Sequence, residues 1–142
     1  MMHTGPCHIP GIYLDGYLRD FDKLILSYEP EKLKVRKGEY MTRYGVINNM
    51  AYYVKEGIMH LSLEHDRGRK SLNMFGEGTV FPVGVEFHES HMEYEMILQA
   101  LTDMTVYQMP YPILKKIAVE HGDFAGELLR ENCDFIGYLF FD

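Results

Sequence analysis

Along residues 14–28 the apolar side chains Leu14, Tyr17, Leu18, Phe21, Leu24, Ile25 and Tyr28 recur three and four positions apart. That is the spacing of one helix face, and Pro30 ends it, since the residue before proline is pushed out of the helical region. From Leu33 the texture changes. The runs KLKVR, EYMTRY, MAYYVKE, IMHLSLEH, KSLNMF and TVFPV are rich in Val, Ile, Tyr and Met. They are separated by Lys37-Gly38, Gly45, Glu56-Gly57, Arg67-Gly68 and Glu77-Gly78. Each run has strand length, and IMHLSLEH alternates Ile58, His60 and Ser62 against Met59, Leu61 and Leu63, the period of a half-buried strand. His65-Asp66-Arg67-Gly68 reads as a hairpin turn, with Gly68 free to take a positive φ. A polar stretch over 86–95 (EFHESHMEYE) interrupts the strands before MILQAL and MTVYQM resume them. Short strands with glycine turns at this spacing predict a β-barrel or jelly roll.

The pattern then becomes helical. Tyr111-Pro112 places proline in a first helical turn, and Gly122 stops that helix after His121. Asp123 can cap the next helix. Its apolar positions are Phe124, Leu128, Leu129, Cys133, Phe135, Ile136, Leu139 and Phe140. That stripe is too wide for a helix with one face in water, so a second copy of the chain is expected against it. Leu128, Leu129, Cys133, Ile136, Leu139 and Phe140 form the expected dimer interface. The chain ends at Phe140-Phe141-Asp142 without a helix-stop signal and reads as cut partway. The expected fold is mainly β with flanking helices (α+β): residues 1–122 form a sensing domain with an N-terminal helix, and 123–142 begin a dimerisation helix.

With 142 residues, 46% of them hydrophobic and 25% charged, the chain suits one globular domain. Eleven Tyr and eight Phe fit an aromatic-rich sheet core. Fourteen basic against 21 acidic residues give a formal charge of −7, which repels a phosphate backbone and argues against nucleic-acid binding by this chain alone. No apolar run is long enough to span a bilayer, and MMHTGPCHIP lacks the basic and apolar regions of a secretory signal. Cys7 and Cys133 are too few for a disulfide framework, so reduced thiols and a cytoplasmic location are expected.

Candidate chemistry gathers in the polar stretch. His88-x-x-His91 with Glu86, Glu89 and Glu93 has the composition of a divalent-metal set, or of a solvated loop. The H-x-H strand signature of metal-dependent cupins is absent. There is no G-x-S-x-G, P-loop or H-E-x-x-H motif, and Ser90 beside His91 does not make a triad. No reaction can be built from these residues; the chain is expected not to be an enzyme and to hold no metal or cofactor.

The order of elements, together with three motifs, resembles the N-terminal sensor domain of the Crp/Fnr family of bacterial transcription regulators, whose fold is the cyclic-nucleotide-binding β-roll. Gly45 to Gly57, with Tyr52-Tyr53 between, resembles the family's glycine-spacer-Tyr-Tyr-glycine signature. Ile58 to Leu63 followed by Asp66-Arg67-Gly68-Arg69-Lys70 resembles its next strand and hairpin. Gly78-Thr79-Val80-Phe81 resembles the approach to its ligand-binding cassette. The likeness covers roughly residues 14–142. It implies an allosteric homodimer in which an effector in the barrel repositions DNA-reading heads through the long helix. The helix-turn-helix domain that would carry those heads is not among these residues, so DNA is a partner only through it.

The departures bear on the effector. The family's Gly-Glu, which holds the ribose, falls on Pro82-Val83, and its Arg-Ser-Ala phosphate clamp falls on Tyr94-Glu95-Met96. Proline brings no N–H, and Tyr-Glu in place of arginine removes the charge partner and adds a repelling one. Cyclic AMP and cyclic GMP are therefore not expected to bind. An iron–sulfur sensor needs about four Cys ligands and is excluded. Haem would need an axial ligand such as His60, His65 or the Cys7-His8 pair, each of which also reads as an ordinary structural residue. The expected effector site lies between the inner barrel face and the long helix, bordered by Phe81, Val83, Glu86, His88, His91, Tyr94 and Met96, with Arg130 as the nearest cation. Aromatic with a few polar ends, it suits an aromatic acid or phenol. The alternative reading is a cupin-type metal-binding β-barrel enzyme using His88, His91 and a glutamate.

Overall fold

The computed structural model describes residues 13–14, 16–41, 50–65, 68–82 and 95–141, with the backbone alone at 65, 95 and 136–141. Among the described residues eight strands lie in two four-stranded sheets. β1 (Tyr13–Leu14), β5 (Gly68–Phe75), β4 (Met59–His65) and β7 (Glu95–Ala100) form one, in that order. β2 (Glu31–Val35), β8 (Met104–Pro110), β3 (Met50–Glu56) and β6 (Val80–Phe81) form the other. All pairings are antiparallel except β1 with β5. The helices are α1 (Asp22–Leu26), α2 (Tyr111–Glu120) and α3 (Gly122–Phe141), with a 3-10 turn at Arg19–Phe21.

The predicted strands are present. MAYYVKE is β3, and IMHLSLEH supplies β4 with Met59 and Leu61 buried, as the alternation requires. EYMTRY departs from the expectation: Tyr40 makes only an isolated bridge to Gln99, and 42–44 lie outside the described residues. The expected helix over 14–28 also shrinks to α1. Its upstream half is held by backbone bonds to another segment: Gly76 N–H donates to Leu14 O, Gly16 N–H to Glu77 O and Leu18 N–H to Gly78 O. Those pairings satisfy groups that a helix would otherwise use. The approach is close, for a Cβ on Gly16 would lie 2.0 Å from the Gly78 carbonyl carbon.

Two apolar clusters hold the fold. The first fills the layer between the sheets and includes Val35, Tyr52, Val54, Leu61, Phe75, Phe81, Leu98 and Val106. The second covers the outer face of the β2–β8–β3–β6 sheet, where Ala51, Tyr53, Val80 and Met109 meet Leu18, Ile25, Leu114, Ile117, Phe124 and Leu128. β3 is therefore buried on both faces from Ala51 to Val54, which explains its continuous apolar run.

Candidate functional site

α3 runs from one cluster to the other. Phe124 and Leu128 enter the second, and Phe135 packs on the first. There Phe75 and Phe81 stack with centroids 4.5 Å apart, and Phe135 meets them at 5.6 and 5.3 Å. Between these anchors lies Glu131, 2% exposed. Val80 N–H donates to its Oε1 and Oε2 at 3.1 and 3.3 Å. β6 pairs with β3 on one side only, and the Glu131 carboxylate answers this N–H in place of a further strand. Burial pushes the Glu131 carboxyl up to about 8; the Val80 N–H opposes the shift and Asp134 adds to it. Further along α3, the Tyr17 hydroxyl donates to Asp134. The long helix is thus tied to the strand that leads into the 82–94 stretch.

Of the residues expected to border an effector, Phe81 and Met96 share the first cluster. Val83, Glu86, His88, His91 and Tyr94 lie outside the described residues. Arg130 is not aimed at that layer. Its side chain is 60% exposed, pairs with Glu127 at 3.4 Å, and has its guanidinium over the Tyr17 ring at 4.1 Å. A cavity of about 600 Å³ opens at the β2 edge, lined by Leu33, Val35, Tyr40, Met41, Tyr52 and Gln108; among the described residues, Phe81, Met96 and Arg130 do not border it. Among the described residues no group of His, Cys, Asp and Glu is placed to hold a metal. His60, weighed as a haem ligand, has Nε2 2.5 Å from Ser71 Oγ, and burial followed by the Arg69 charge lowers its pKa.

The expected dimer stripe divides in two. Leu128, expected at the seam, is 6% exposed and packs in the second cluster of this chain's own core. Phe124, Leu128, Glu131 and Phe135, spaced four, three and four apart, form the inward row. Leu129 is 63% exposed and Cys133 is exposed. Ile136 and Phe140 continue the spacing of that second row in the sequence; their side chains, with that of Leu139, lie outside the described residues. Two residues escaped the sequence reading. Glu131 was signalled by its place in the inward row. Asn73, buried on β5, carried no signal in the alternation.

No curated relative matches the sequence. Among solved structures, oxidized CprK in complex with o-chlorophenolacetic acid is similar at TM-score 0.69 and 13% identity, over 88% of this chain and 51% of that one. A CooA mutant from Carboxydothermus hydrogenoformans is similar at TM-score 0.68 and 17% identity, over 88% of this chain and 83% of that one. The heme domain of CooA from the same organism has TM-score 0.65 and 18% identity, over 85% of each chain. CprK and CooA are Crp/Fnr family regulators. At these identities the likeness is one of fold, and this chain spans about half the length of CprK. The family profile of the cyclic nucleotide-binding domain matches residues 32–121, the stretch from β2 through α2, and the chain accordingly belongs to that family.

Proposed function

We propose that the chain is the effector-sensing and dimerisation part of a Crp/Fnr-like transcription regulator, non-enzymatic, acting on DNA through a helix-turn-helix domain outside these residues. The observation that carries this reading is the double attachment of α3 to the barrel, Glu131 on Val80 N–H and Phe135 on Phe75 and Phe81. A molecule that reshapes the layer behind Phe81 must also shift how α3 packs, and so bias the equilibrium between two arrangements of paired helices. CprK's complex with o-chlorophenolacetic acid supports a small organic effector.

Within the family, this chain departs from nucleotide recognition at Pro82-Val83 and Tyr94-Glu95. Cyclic AMP and cyclic GMP are therefore not its effectors. Calorimetry tests this: no heat of binding is expected up to millimolar nucleotide, and micromolar affinity would overturn it. Tyr94→Arg alone should not create binding, because Pro82 still offers no N–H to the ligand. A thermal-shift comparison of phenols and aromatic acids, on wild type and Tyr94→Ala, tests the positive half. Compounds that bind only the folded state raise Tm, and a role for Tyr94 shows as a smaller shift in the variant. If no small molecule stabilises the protein, the sensing reading fails.

A further inference from the structure

β5 directs Asn73 and Phe75 to the same side, and because Phe75 stacks on Phe81 of the opposite sheet, that side is the inner layer. Asn73 pairs with Leu61 on β4, and Leu61 with Leu98 on β7. Those two leucines are 1% and 0% exposed, and Asn73 itself is 1% exposed. Among the described residues neither its Nδ2 nor its Oδ1 has a hydrogen-bond partner. Other buried polar groups among the described residues are answered: Thr79 Oγ1 donates to Gly76 O, Thr105 Oγ1 donates to Glu56, and Glu131 accepts from Val80. A buried amide stripped of water with nothing in return works against folding, and native proteins keep few of them without a functional reason.

We propose that Asn73 is the polar anchor of the effector site, and that it takes an uncharged head group able to accept from Nδ2 and donate to Oδ1 together, as a carboxamide, lactam or phenol does. This rests on the sensing reading above and narrows its ligand class. Among the described residues, charge works against an anion at this amide. The buried polar and charged residues described are Ser62, Asn73, Thr79, Thr105 and Glu131, with no Lys, Arg or His among them to neutralise a carboxylate. The Phe75, Phe81 and Phe135 rings, beginning two residues along β5, suit an aromatic body. Neither amide atom touches solvent, so the head group enters by parting the side chains of the inner layer.

Melting curves at pH 7 with benzamide, phenol and sodium benzoate, each at millimolar concentration, test the proposal. Benzamide and phenol should raise the Tm of the wild type by a few degrees, benzoate should not, and Asn73→Leu and Asn73→Ala should abolish the shifts. Ligand-free Asn73→Leu should melt above wild type, because an apolar side chain replaces the orphaned amide. Equal shifts in wild type and both variants would overturn the anchor while leaving effector sensing intact. Benzoate binding that depends on Asn73 would overturn the uncharged class. No shift with any of the three probes overturns this proposal alone, since the wider screen of phenols and acids judges sensing separately. If both variants fail to fold, the amide is a structural requirement and the proposal falls.

Discussion

At the scale of single residues, Glu131 is where burial and charge conflict most sharply. Its carboxyl is raised to about 8 in the folded protein from an ordinary value of 4.5. Between those values the folded state holds a proton that the unfolded chain has released, so this group's contribution to stability is full below pH 4.5 and is lost as pH rises towards 8. The slope is at most about 1.4 kcal/mol per pH unit. Glu131→Gln keeps an acceptor for Val80 N–H and removes the titration. Urea unfolding should find the variant no more stable than wild type near pH 4.5, yet more stable by about 4 kcal/mol at pH 8; equal stability at both pH values would refute the account. Tyr53 is a second such point. Its hydroxyl donates to Asp22 Oδ1 at 2.9 Å, Asp22 pairs with Lys55 at 3.0 Å, and burial first, then Asp22, raises the Tyr53 pKa. Tyr53→Phe should cost about 1 kcal/mol in the same assay.

Among the elements, α3 has two jobs on two faces. Its inward row of Phe124, Leu128, Glu131 and Phe135 seals the barrel, and its outward face carries exposed Leu129 and Cys133. If the proposed dimer forms through this outward face, Leu129 lies in its seam. Leu129→Asp should weaken self-association at least tenfold in sedimentation equilibrium while leaving Tm nearly unchanged, since the position is 63% exposed. Phe135→Ala should do the reverse. It removes one ring of three and should cost about 3 kcal/mol of stability. Comparable effects of the two changes on association would argue against separate faces.

For the molecule as a whole, sign and topology set what it can touch. A formal charge of −7 opposes a polyanion, and none of the described helices beyond the barrel is left over to read a groove. Residues 1–142 alone should give no sequence-specific retention of DNA in a gel shift at moderate salt. No described helix is long and apolar enough to cross a membrane.

Much of this was written in local pattern. The alternation around Met59 and Leu61, the apolar run of β3 and Pro112 in the first turn of α2 specify strands and helices, because side-chain period and backbone restriction act within a few residues; Gly122, expected to stop α2, instead opens α3. The ordered Tyr52-Tyr53, Gly57 and Gly78 motifs carried the family. Local pattern misled where a distant segment supplied the partners: residues 14–18 have helical spacing, yet they bond to 76–78. The α3 stripe likewise read as one wide face, and only packing separated Leu128, buried, from Leu129, exposed. Asn73 carries no signal in one dimension, and Glu131 shows only its helical spacing with Phe124, Leu128 and Phe135. What distinguishes them is the absence or presence of a hydrogen-bond partner deep in the core, and that is decided only when two sheets and a helix close around them.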